Sequence, residues 1–189
     1  AVSASFYIWG AQLEQGSYPT SYIPTSGSTV SRSRDVCDSA GTSAEFNDSE
    51  GVLFVETQQF ADGDYQSVYI VLANSTETGF DNSLLIQHRN NGQLRIYADG
   101  TGTPDVQFLV DIDLTQNLKI AVQYKENDYK LFINGTKYDL YLTPTQPVLT
   151  GLDSLDFNYD GGNGWLGKVK QLIYFNEALS DSELQTLTS

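Results

Sequence analysis

The chain has 189 residues and a mass of 20.9 kDa, with 40% hydrophobic and 12% aromatic residues. That is enough for one globular domain, or a domain with an appendage, burying about 70% of the surface its unfolded form exposes without disulfide or metal staples. A single cysteine (Cys37) excludes an internal disulfide, a single histidine (His88) excludes a multi-histidine metal cage, and a net charge of −14 leaves no basic face for nucleic acid or anionic membranes.

Residues 1–35 differ in composition from the rest. Ser5-Phe6-Tyr7-Ile8-Trp9 reads as a short aromatic strand, and Gly16, Pro19, Pro24 and Gly27 then punctuate a Ser/Thr/Tyr-rich linker. With no methionine and this exit-like opening, residues 1–35 are expected to be the remnant of a preceding domain, and 36–189 a module of a longer protein. The second region is acidic early on, with no Lys or Arg between Asp35 and His88.

From Val36 onward the hydrophobic period is two. Val52, Phe54 and Glu56 share one strand face, Leu53 and Val55 the other. Val68 to Leu72 is a short β-branched run. Residues 84–89 and 93–97 flank Asn90-Asn91-Gly92, a hairpin signal because Asn and Gly tolerate positive φ. A second hairpin is expected between 118–124 and 129–134, and a tight turn at Asn134-Gly135 leads into 137–142. The last strands are 152–159 and 167–175, and Ser180-Asp181-Ser182-Glu183 fits a capping box opening one short helix. Many short strands with regular turns predict an all-β sandwich or barrel.

Catalytic signatures are sparse. Glu45, Asp48 and Glu50 lack the spacing of facing carboxylates, and Asp111-Ile112-Asp113 has that spacing but reads as a solvated strand end. No nucleophile elbow or phosphate loop is present. His88, beside a hairpin turn in an alternating strand, is expected to face outward. Asp62-Gly63-Asp64 and the loop Asp160 to Gly164 are candidate calcium loops or simply Asp-Gly turns. For a sugar site, Trp165 follows the glycine-rich loop, either exposed at a sandwich end or packed at the core margin. Arg95 and Tyr97 share a strand face, with Gln87 and His88 across the hairpin, and Asp160 and Asn163 complete the candidate ligand set.

Two stretches resemble known families. Residues 118–124 (Leu-Lys-Ile-Ala-Val-Gln-Tyr), 129–135 (Tyr-Lys-Leu-Phe-Ile-Asn-Gly), 165–176 and 178–184 resemble the C-terminal half of laminin G-like, concanavalin A-like lectin domains. Residues 7–16 and 20–25 are similar to a recurring segment of bacteriophage tail-fibre and other virion structural proteins. The resemblance implies an antiparallel jelly-roll β-sandwich and non-catalytic recognition, often with a calcium ion near the ligand loops, for which Asp62 and Asp64 are the candidates.

The expected function is therefore a non-enzymatic module binding a glycan or cell-surface polysaccharide, extracellular or on a virion surface, with neither nucleic acid nor membrane insertion. The alternatives are a structural or oligomerisation domain, with virion proteins or further copies of itself as partners, and a polysaccharide depolymerase.

Overall fold

The computed structural model describes residues 5–14, 21–31, 36–59, 68–77, 79–100, 106–139, 146–157 and 165–189. The chain divides into two compact units, Ala1–Asp35 and Val36–Ser189. Within the first, the described residues form no strand: Phe6 and Trp9 are 79% and 83% exposed. The aromatic run 5–9 has the side chains of a strand but no partner ladder to pair with. Its order is local. The Trp9 and Tyr22 rings meet at 4.9 Å, and the Ile23 amide donates to Gln12 Oε1 at 2.7 Å.

The second unit is an antiparallel β-sandwich. Its described strands are β1 (Glu50–Gln59), β2 (Val68–Ala73), β3 (Ser83–His88), β4 (Gln93–Asp99), β5 (Val106–Asp111), β6 (Leu118–Lys125), β7 (Lys130–Ile133), β8 (Thr136–Tyr138), β9 (Ser154–Asp156) and β10 (Gly167–Phe175), followed by helix α1 (Asp181–Thr188). They form two five-stranded sheets, ordered β10-β1-β6-β7-β8 and β5-β4-β3-β2-β9. The reading from hydrophobic period holds for nine of these strands. It passes over β5, although Val106, Phe108 and Val110 alternate inward there.

Alternation builds the core. Leu53 and Val55 of β1, Ile120 and Val122 of β6, Ile70 and Leu72 of β2, Leu84 and Ile86 of β3, and Leu94 and Ile96 of β4 are all buried between the sheets. Two turns carry the expected positive φ, with Gly92 at 83° closing β3 to β4 and Asn134-Gly135 at 47° and 76° joining β7 to β8.

The other face of the first sheet is closed by the helix. Val52, Phe54, Ala121 and Phe132 bury the fully covered Leu184. The helix starts where the capping box places it: Ser180 Oγ accepts from the Glu183 amide, and Glu183 accepts from the Ser180 amide at 2.8 Å. Lys130 and Lys137 both pair with Asp181 in its first turn, at 3.2 and 2.6 Å. Among the described residues no helix covers the outer face of the second sheet.

Candidate functional site

The outer face of the second sheet is set by residues two apart on each strand. Arg95 and Tyr97 of β4 lie on it together, as their alternation with Leu94 and Ile96 requires. Arg95 is in register with Gln87 of β3 on one side and Leu109 of β5 on the other, and Tyr97 with Leu85 and Gln107.

The side chains interlock. The Arg95 guanidinium carbon sits 4.3 Å from the centre of the Tyr97 ring, a cation–π contact. Its Nε donates to Gln107 Oε1 at 3.2 Å, and one terminal nitrogen makes a long bond to Gln87 Oε1 at 3.5 Å. The Tyr97 hydroxyl donates to Asp99 at 3.1 Å. Phe80 stands edge-on to Tyr97, ring centres 5.8 Å apart, and Tyr69 lies 6.1 Å beyond Phe80. Tyr69, Phe80 and Tyr97 thus form an aromatic arc beside a half-buried guanidinium and two carboxamides. Such a set suits a sugar, which offers apolar ring faces and hydroxyls together.

Tyr97 is only 8% exposed, packed with Val71 and Leu85, so it supports Arg95 more than it offers a free stacking face. Tyr69 and Phe80 are half-buried and present more of their rings. Neither was a candidate from the sequence, nor was Gln107. The signal for Gln107 was the alternation of β5, while Phe80 lies in a turn that no period marks.

One expectation is corrected. His88 does not face outward: it follows Leu84 and Ile86 on the inner face of β3, is fully buried, and cannot touch a ligand on the outer face. Its parity with Leu84 and Ile86 turns it inward, although it is polar and stands last in the ladder before the turn. Burial lowers its pKa to about 3, so the ring is neutral. Trp165 takes the second of its two expected positions, half-buried at the core margin. Its ring packs on the core and against His88, centroids 4.5 Å apart, and its Nε1 is buried. Asp160, Asn163, Asp62 and Asp64 lie outside the described residues, and among the described residues no three His, Cys, Asp or Glu side chains gather as metal ligands would.

The acidic segment before β1 borders a shallow cleft of about 360 Å³, lined by residues 43–48 and Asn176. Its carboxylates are structural. Asp48 accepts the amides of Gly151 and Leu152 at 2.8 and 2.9 Å, and Glu45 accepts from the Thr42 hydroxyl at 2.5 Å. Asp111 and Asp113 do not form a facing pair either. Asp111 accepts from Gln93 at 2.7 Å, whereas Asp113 caps its own turn through Thr115 and Gln116, bonds that hold its carboxyl below the usual range.

No protein-family model and no curated protein sequence matches the chain. Among solved structures, the carbohydrate-binding module (CBM40) of the Ruminococcus gnavus IT-sialidase, bound to α2,3-sialyllactose, superposes with a TM-score of 0.59 at 14% identity, covering 82% of this chain and 96% of that one. The fold is the concanavalin A-like lectin fold. A heptameric pentraxin from Limulus polyphemus gives 0.59 at 13% identity, covering 82% and 75% of the two chains. The leech intramolecular trans-sialidase gives 0.60 at 16% identity over 82% of this chain, which spans 26% of that enzyme. Likenesses at these identities establish architecture and leave function to the site.

Proposed function

We propose that the second unit is a non-catalytic carbohydrate-binding module and that it binds glycan on the outer face of the second sheet. The observation that carries this reading is Arg95 stacked on Tyr97 and flanked by Gln87 and Gln107, on the sandwich face that the helix leaves uncovered. One neighbour of the same fold, the Ruminococcus gnavus carbohydrate-binding module, is known with both α2,3- and α2,6-sialyllactose bound, which supports the same reading. Binding rather than hydrolysis is favoured because Asp111 and Asp113 are each spent on a neighbouring group instead of facing one another across a cleft. A glycan array probed with the 189-residue chain tests it. Binding of at least one glycan class, lost on Tyr69→Ala and on Arg95→Ala, is expected, and an array with no bound glycan rejects the reading.

The virion setting rests on the resemblance of residues 7–16 and 20–25 to phage structural proteins. Calcium belongs to the same proposal through the spacing of Asp62 and Asp64: calcium added to chelator-treated protein raises its melting temperature by mass action, and the double change Asp62→Asn, Asp64→Asn abolishes the rise.

A second reading, an oligomerisation element, is favoured by one observation. Phe6, Tyr7, Ile8 and Trp9 are each at least 77% exposed in succession. An aromatic segment without a ladder invites pairing with another chain. Light scattering that finds a monomer at micromolar concentration excludes self-association.

A further inference from the structure

We infer that the glycan recognised at Arg95 carries a carboxylate, and that the terminal edge of the guanidinium takes it in a two-pronged hydrogen bond. The inference rests on the carbohydrate-binding reading and narrows it to a class of sugar.

The argument is an inventory of donors. A guanidinium has five N–H groups and no acceptor. In Arg95 the Nε–H is spent on Gln107, and one terminal N–H makes the long bond to Gln87. Three N–H groups remain, one on that terminal nitrogen and two on the other, and together they form the fork that a carboxylate fits. Both glutamines present their oxygens to Arg95, which leaves their amide nitrogens as donors with no other bond among the described residues. The centre of the face is therefore rich in donors. A neutral hydroxyl can donate or accept a hydrogen bond, but such a centre rewards a group that only accepts.

Charge points the same way. This chain has 24 acidic residues to 10 basic ones, yet among the described residues no carboxylate pairs with Arg95. Lys125, Lys130, Lys137 and Lys170, by contrast, are all in ion pairs. Asp111, on the same sheet face, is held by Gln93. Amides and an aromatic ring orient the Arg95 guanidinium without neutralising it, and the half-buried position limits how far solvent screens the charge.

The test uses matched ligands titrated by calorimetry or NMR into the 189-residue chain: 3′-sialyllactose, its carboxyl methyl ester, lactose, methyl β-glucuronide, methyl β-glucoside and a 6-sulfated galactoside. At least one carboxylate sugar is expected to bind about tenfold or more tightly than its neutral partner, the scale of one hydrogen bond to a charged group. Arg95→Gln should erase that preference, and Arg95→Lys, which keeps the charge without the fork, should restore only part of it. The ester comparison needs no variant, so it stands even if a substitution disturbs the fold. Neutral and acidic partners binding equally would overturn the inference and leave the carbohydrate-binding reading intact. Tighter binding of the sulfated sugar, or a carboxylate preference that survives in folded Arg95→Gln, would also overturn it. If no sugar on the wider array binds at all, the carbohydrate-binding reading falls, and the inference with it.

Discussion

The His88 imidazole lies against the Trp165 indole, ring centroids 4.5 Å apart and tilted by 53°, and among the described residues neither imidazole nitrogen nor the indole Nε1 has a hydrogen-bond partner. Nearby, Gly167 joins Trp165 to the end of β1: a Cβ there would sit 3.1 Å from the indole nitrogen and 3.2 Å from the Gln59 Cα. Gln59 Oε1 is also buried without a partner. One end of the sandwich interior thus gathers buried polar atoms that no described protein group satisfies.

The first consequence is a pH dependence. Burial lowers the His88 pKa from 6.5 to about 3 in the folded chain, so between those values the unfolded chain binds more protons than the folded one. The stabilising effect of a neutral His88 is complete above pH 6.5 and is lost as pH falls, at up to about 1.4 kcal/mol per unit. Urea unfolding from pH 7 to pH 5.5, where carboxylates stay almost fully ionised, should show the onset of this slope. In His88→Leu, which keeps an apolar side chain opposite Val68 and Leu94, the slope should vanish. An unchanged slope in the variant would place the titration elsewhere.

The same contact predicts how Trp165 behaves. Because its ring packs on the core and on His88, Trp165→Ala should cost about 2 kcal/mol, below the 3–5 kcal/mol of a fully buried tryptophan because the residue is only half-buried. Glycan affinity measured well below the melting temperature should stay within twofold. Loss of binding in a folded Trp165→Ala protein would return this residue to the ligand site.

Much of the sandwich was legible in the sequence, because a half-buried strand writes its two faces in alternate positions. Leu53 and Val55 went to the core and Val52 and Phe54 to the helix side, as their parity requires. Asn90-Asn91-Gly92 and Ser180 to Glu183 are local chemistry, and each formed where it was read. The site was legible only in part. The pairing of Arg95 with Tyr97 follows from one strand's parity, but the partners Gln107, Tyr69 and Phe80 arrive through strand order and a turn, which one strand's pattern does not contain. His88 failed differently: its parity with Leu84 and Ile86 points inward, and its polarity beside a turn was given more weight than that parity.

The helix supplies a local test. Ser180 Oγ accepts from the Glu183 amide at 3.3 Å, filling one of the donors that a helix start leaves unpaired. Ser180→Ala should cost about 1 kcal/mol by denaturant titration, and Ser180→Asp, which also favours the helix dipole, should recover most of it. The substitution lies on the far side of the sandwich from Arg95, so glycan affinity should not change. Equal stability of Ser180→Ala and the parent would mean that burial of Leu184, rather than the cap, fixes where the helix begins.

Gly51 offers a sharper test of packing. It pairs with Tyr124 across β1 and β6, and a Cβ at this position would lie 2.8 Å from both the Phe175 carbonyl oxygen and the Tyr124 hydroxyl. Neither can move freely. The carbonyl belongs to β10, and the hydroxyl is held by the Asn47 carbonyl and, at 2.7 Å, by the Tyr174 hydroxyl, in a setting that raises the Tyr124 pKa through burial. Gly51→Ala should therefore destabilise by about 2–3 kcal/mol, the scale of overpacking in a close-packed interior. Tyr124→Phe should relieve the contact with the hydroxyl while leaving those with the carbonyl and, at 2.9 Å, with the ring carbon, so the double variant should be more stable than the sum of the two single changes predicts. Strict additivity in thermal or urea unfolding would show that the clash falls on the β10 backbone and the aromatic ring rather than on the hydroxyl.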